Sequence, residues 1–397
     1  MRVSTALLHR LGVEQLQRQQ QALLRTQTQL STQQRMASAA DGPADWTAAM
    51  GIDQLLAQRT QWQANARAAE HRLTLEENAL AEGIDVLARV RELVIQANSA
   101  TQSAQTRGMI AQELVDLRDQ LMAIANRDDG QGRYLFAGSR DGASPFAWNG
   151  RSADYSGDEQ VRQLPIGHDR LLAEGDAGSE VFMRLRTGNG VYAVAADDAN
   201  TGVIHLRQVA TYDAQLWDGG VYTLRFSGGS YEVRDASDAV IQSGAYSPGS
   251  AIRVRGVELA FAGTPADGDR FTLAPAQQQD VFALIDKLAR LVAAAQDGPA
   301  ARAAFQTGVQ QALLELDTAE ARLSSVRTGA GLRLAAAQQA QSALEADRIQ
   351  AQSALSALRD VDIAEAASRL QQQLLAVQAA QAAYVRVQGL SLFDYLR

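Results

Sequence analysis

Apolar residues in this chain recur at helical spacing over long stretches towards both ends and at strand spacing in between. Trp62, Ala66, Ala69, Leu73, Glu76, Leu80, Gly83, Leu87, Val90, Val94 and Ala97 follow gaps of four and three without interruption. Ile110, Leu114, Leu117, Leu121 and Ile124 repeat the pattern. Beyond the middle, so do Phe305, Val309, Ala312, Leu316, Ala319, Leu323, Val326 and Ala330. Side chains at that spacing form one stripe on a helix, which is buried against partner helices in coiled-coil-like packing. A helix over Trp46 to Thr101 is expected, and at roughly 1.5 Å per residue it would run about 80 Å.

The two extremes carry thinner seams. Leu16, Leu23 and Leu30 recur every seven residues with Gln20 and Gln27 between them, and Ile363, Ala367, Leu370, Leu374, Val377, Gln381 and Tyr384 alternate gaps of four and three. Ordering a backbone costs about 1–2 kcal/mol per residue, and isolated helices are marginal in water. These segments are therefore expected to be helical when packed against neighbours and poorly ordered alone. The last stretch, VQGLSLFDYLR, sets Leu390, Leu392, Phe393, Tyr395 and Leu396 behind Gly389. The glycine reads as a helix stop, and the apolar residues beyond it as anchors for another molecule.

The middle changes period. YTLRFSGGSYEVRD (222–235) alternates its side chains around Gly228 and Gly229, a hairpin signal. AIRVRGVELAFAG (251–263) and DRFTLAP (269–275) continue the alternation. Of 31 glycines, 21 lie from Gly130 to Gly268, whereas the flanks are rich in the helix formers Ala, Gln, Leu, Glu and Arg. The expected fold is α+β and multidomain: a long antiparallel helical, coiled-coil-like rod built from both chain ends, carrying an inserted mainly-β domain. The parts are a terminal helix at 1–40, rod helices at 41–140, a β-rich insertion at 141–276, rod helices at 277–355, and a terminal helix with its apolar tail at 356–397.

Composition then removes whole classes of function. A net charge of −8 and a pI near 5.2 argue against nucleic acid or anionic membrane as partner. No apolar run approaches a membrane span, and MRVSTALLHRLGVEQL lacks the apolar core and cleavage site of a conventional secretory signal. With no cysteine, disulfides, thiolate metal sites and cysteine nucleophiles are excluded. His9, His71, His168 and His205 are scattered, and Lys287, the single lysine, lies in no phosphate loop. GNGVYA (188–193) fits a loose dinucleotide pattern but precedes alternating residues, so it reads as a hairpin turn. NRDDGQG (126–132) begins like a calcium loop, yet Ala137 stands where the bidentate Glu is required; a helix stop with a glycine turn fits better. No catalytic, cofactor-binding or metal-ligating residue is nominated, and the chain is not read as an enzyme.

Several segments resemble one known family. RELVIQANSAT (91–101), the helix that follows and GRYLFAG (132–138) are similar to the N-terminal region of bacterial flagellins and their relatives. LSSVRTGAGLRL (323–334) and LRDVDIAEAASRL (358–370) are similar to the C-terminal region. MRVST, GRYLFAG and VQGLSLFDYL resemble the hook-associated branch in particular. In LSTQQRMASAADGPADW, Gln33 stands where a glycine is common and Gly42 where a second Asp is usual; GLRL replaces a frequent asparagine near Arg333. The resemblance implies a secreted structural protein of the bacterial flagellum at the hook–filament junction. Its implied partners are hook-associated protein 1, flagellin, the filament cap during assembly, an export chaperone on the C-terminal region, and further copies of itself in the axial zone. The alternative is a filament subunit. The candidate assembly residues are Leu16, Leu23, Leu30, Leu370, Leu374, Val377, Tyr384, Leu390, Leu392, Phe393, Tyr395 and Leu396.

Overall fold

A computed structural model describes the backbone of residues 5–395, together with the side chains of Leu7 and of residues 10–386. Six helices carry the flanks: α1 (Thr5–Thr32), α2 (Pro43–Ala97), α3 (Ala104–Ala125), α4 (Val281–Ala293), α5 (Pro299–Arg359) and α6 (Ile363–Tyr395). Their ends follow local chemistry. Pro43 opens α2 and Pro299 opens α5, at the position where a missing N–H is harmless. Ser103 caps α3 by accepting from Thr106 N (3.2 Å), and Asp280 caps α4 by accepting from Ala283 N (2.6 Å). Asp362 Oδ1 accepts from Ala364 N and Glu365 N, which is why the last helix begins at Ile363 instead of near 356. That helix also runs straight through Gly389, contrary to the stop expected there. A helical glycine costs only about 1 kcal/mol relative to alanine, and no proline follows to end the helix.

The chain divides into two compact units, Met1–Ala64 with Ala340–Arg397, and Asn65–Gln339. In the second unit the predicted seams are the core. Leu73, Leu80, Leu87, Val90 and Val94 of α2 are buried with Leu114 and Leu121 of α3 and Leu316, Ala319 and Leu323 of α5; Leu117 and Val326 are half-buried. Gly83 sits where a Cβ would lie 3.2 Å from Leu323 Cδ2 and 3.4 Å from Leu121 Cδ1, so its absence lets the helices close up. The edges are pinned by ions: Arg91 pairs with Asp317 (2.5 Å) and Glu320 (3.1 Å), and Arg327 with Glu77. Arg118 pairs with Asp286 (2.7 Å) beneath the ring of Trp148, and Lys287 pairs with the buried Glu315 (3.0 Å).

Between α3 and α4 lie β1 (Phe146–Trp148), β2 (Ala153–Tyr155), β3 (Gln163–Gly167), β4 (Arg170–Ala173), one turn of π-helix (Ser179–Met183) and β5 (Leu185–Arg186). Then come β6 (Tyr192–Ala196), β7 (His205–Thr211), β8 (Tyr222–Ser227), β9 (Ser230–Arg234), β10 (Val240–Ala245), β11 (Ala251–Val254), β12 (Val257–Ala262), β13 (Arg270–Pro275) and β14 (Gln278–Gln279). All pairings among the described residues are antiparallel. A five-stranded sheet, β10-β9-β8-β13-β6, and a three-stranded one, β11-β12-β7, bury Leu224, Phe226, Leu259, Phe261, Phe271 and Leu273 in one shared core. The hairpin at Gly228 and Gly229 is present, with φ of 57° and 76°, the type I′ turn that suits strand twist.

The insertion is not one body from 141 to 276. Phe146, Ala153, Val181, Phe182 and Leu185 belong to the helical core, where Phe182 meets Phe136 edge-on (centroids 5.1 Å) and stacks obliquely near Phe282 (5.8 Å). Only 191–276 has a core of its own. Its two ends meet: Ala276 N donates to Val191 O (3.0 Å), and Thr187 N to Gln277 O (2.9 Å). GNGVYA is a turn, with φ of 62° at Gly188 and 90° at Gly190, but not a hairpin: β5 pairs with β14 while β6 pairs with β13. NRDDGQG does end α3 in a glycine turn.

Candidate assembly surfaces

In the first unit α1 and α6 pack against each other. Val377, Ala366 and Thr26 are buried in this seam, and Leu16, Leu23, Leu30, Leu370 and Tyr384 are half-buried. Gly12 gives Tyr384 room; a Cβ there would lie 3.2 Å from the ring. The seam is poor in apolar volume, and the buried carbonyl oxygens of Gln19 and Gln373 lack a donor. So half of the nominated residues, Leu16, Leu23, Leu30, Leu370, Val377 and Tyr384, meet inside the chain. Leu374 is exposed. The backbone of Leu390, Leu392, Phe393 and Tyr395 is helical, their side chains lie outside the described residues, and Leu396 lies outside them altogether.

The residues most open to a neighbour are others. Leu24, Leu375 and Val385 are exposed by 60, 67 and 66%, followed by Ile363, Leu11 and Leu7. A lone exposed leucine needs no explanation, but a set of them on one helix pair is a candidate contact surface. Sequence reasoning followed the most regular stripe, and the most regular stripe is the one the partner helix covers. The available signal was the second apolar position beside it, as at Leu374-Leu375.

Where α1 and α5 end, the backbone is tied across. Arg35 N donates to Arg359 O (2.7 Å), Val361 N to Gln33 O (3.1 Å), and the Arg35 guanidinium to Leu358 O (2.7 and 3.2 Å) while pairing with Asp45 (2.8 Å). Gln33 adopts φ of 57°, the left-handed region that favours glycine. Asp41 accepts from Ser38 N (2.9 Å) and Ala37 N (3.0 Å) and pairs with Arg25. The Ser38 amide, with those other donors, holds its carboxyl below the usual range.

Residues 3–141 match the bacterial flagellin N-terminal helical region and residues 313–396 the C-terminal one. FlgL of Xanthomonas campestris superposes with a TM-score of 0.73 at 36% identity, over 77% of this chain and 99% of that one. The chain belongs to the FlgL family. Another FlgL structure, the flagellar junction protein of Legionella pneumophila, aligns at 27% identity and TM-score 0.71, over 78% of this chain and 99% of that one. Flagellar hook-associated protein 3 of Salmonella typhimurium is 29% identical over 48% of this chain and 59% of its own length. That of Escherichia coli is 28% identical over 52% and 63%. The match thus spans less than two thirds of these two FlgL relatives. Among the described residues no helix is long and apolar enough to cross a membrane, and no group of three or more His, Asp or Glu is placed to hold a metal ion.

Proposed function

We propose that this chain is a structural, non-catalytic axial protein of the bacterial flagellum, polymerising as the zone that joins hook-associated protein 1 on the hook to the flagellin filament. The observation that carries this reading is the 36% identity sustained over 99% of an FlgL chain. It favours the junction over a filament subunit, because that identity is to an FlgL chain along nearly its whole length.

The α1–α6 pair supplies the assembly surface in this reading. Its inner seam holds the pair together, and Leu11, Leu24, Leu374, Leu375 and Val385 meet neighbouring copies, with Leu390, Leu392, Phe393, Tyr395 and Leu396 as further anchors. Burying a large apolar side chain contributes about 1.5–3 kcal/mol, so a repeating contact of this kind holds a zone without covalent links. Such a surface is an aggregation hazard before assembly, which is the reason to expect a chaperone over the C-terminal region until export and a cap above the growing zone. The test is a deletion strain complemented with tagged protein. Hooks without filaments, flagellin shed into the medium, and immunogold at the hook–filament boundary are expected. Label along the whole filament, or normal filaments in the deletion strain, would overturn the proposal.

A further inference from the structure

Carboxyls and guanidiniums crowd together where α2 and α5 meet the 126–138 loop and the stretch that follows β4. Arg133 pairs with Asp129 (2.8 Å), and Arg162 with Asp141 (2.8 Å) and Glu174 (3.3 Å). Arg72 lies between Asp129 (3.7 Å) and Glu174 (4.0 Å), donating to Tyr134 O (2.8 Å) and Leu135 O (3.1 Å). Arg333, from α5, pairs with Asp176 and donates to Gly175 O (2.7 Å). One carboxyl is left over. Glu76 of α2 is 1% exposed, and neither of its oxygens has a donor.

The backbone of the stretch after β4 lies directly on this group. A Cβ at Gly175 would sit 3.5 Å from Glu76 Oε2 and 3.7 Å from Arg72 Nε. A carboxylate buried there without a hydrogen-bond donor is a costly arrangement, and taking up a proton relieves it. Burial pushes Glu76 well above the usual carboxylate range, the adjacent Asp176 adds to this, and Arg333 and Arg72 pull the other way.

We propose that Glu76 is a neutral latch: its carboxyl keeps the proton in the folded protein and donates it to Asp176, tying the 173–176 stretch to α2 as Arg333 ties it to α5. Loss of that proton sets two carboxylates against each other under Gly175 and frees the stretch. This device stands on the cluster alone and does not depend on the junction reading. A glutamate raised above its unfolded value of about 4.3 stabilises the fold less and less as pH climbs from that value through its folded one.

The test is side-chain carboxyl NMR of the full chain, with amide exchange at 174–178 corrected for the intrinsic effect of pH. Glu76 is expected to titrate above the other glutamates, and exchange at 174–178 to rise with its ionisation. Glu76→Gln keeps a donor without a charge; its melting temperature should exceed that of the parent on the alkaline side, by about 1–3 °C, and its exchange should stay flat. Asp176→Asn should lower the Glu76 midpoint. A Glu76 resonance already ionised at the ordinary glutamate range, or a midpoint unmoved by Asp176→Asn, would overturn the latch.

Discussion

Two helix seams in this protein obey the same spacing and end in different states. In the second unit Leu80, Leu87, Val90, Leu114, Leu121, Leu316 and Leu323 are wholly enclosed. In the α1–α6 pair, leucines at equally regular positions, Leu16, Leu23, Leu30 and Leu370, are only half-buried. The cause is the number of partners. A helix among three others has apolar neighbours over a wide arc, whereas a helix with one partner can hide only a narrow stripe. Identical local patterns therefore yield a finished core in one place and an unfinished one in the other, which is why the assembly surface is proposed at the unfinished one.

The largest expected effect concerns where the finished core ends. Excising 191–275 and rejoining the chain should leave the helical circular dichroism of the remainder intact, since the module has its own core and its ends meet. Excising 141–276 removes Phe146 and Phe182 from around Phe136 and Phe282, and each such loss costs about 3–5 kcal/mol. That variant should lose cooperative unfolding in calorimetry. Equal behaviour of the two deletions would show that the insertion is divided in the wrong place.

Single substitutions sharpen the contrast. Leu323→Ala should cost about 2–5 kcal/mol, while Leu23→Ala should cost roughly 1 kcal/mol, because half a burial is lost; denaturant melts read both. Similar costs would mean that the α1–α6 seam is as complete as the other. Gln33→Val, a β-branched residue forced into the left-handed region, should cost about 1–2 kcal/mol, whereas Gln33→Gly should cost nothing. Faster amide exchange at Arg35 and Val361 in the valine variant alone would locate the effect. Leu374→Ser with Leu375→Ser should change monomer stability by less than about 0.5 kcal/mol and yet abolish a functional junction in a motility assay. A large loss of monomer stability would place these leucines in the seam and not on the outer surface.

Much of this was legible in the residues themselves. Nearly every position that the 3-4 spacing marked in α2, α3 and α5 is buried, because packed helices must repeat at 3.6 residues. The Gly228-Gly229 pair marked its hairpin, because few residues accept two successive positive φ angles. Local chemistry also determines where α3, α4 and α6 begin, through Ser103, Asp280 and Asp362. Even the departure at Gln33 was visible as a missing glycine, although its strain was not.

Tertiary structure alone decided the rest. Phe146 and Phe182 read as part of a β insertion and pack with helices, because membership of a core depends on what lies across from a side chain and not on its neighbours in sequence. Gly389 was expected to end the last helix and does not, since a glycine is a stop only where the chain turns after it. Leu16, Leu23, Leu30 and Leu370 are half-buried where α1 and α6 face each other, and Leu11, Leu24, Leu374 and Leu375 are left exposed. Glu76 fell at a seam position like any other, and nothing in its spacing distinguished it. Only the approach of Gly175, Asp176 and Arg333 from remote parts of the chain made it a buried acid without a partner.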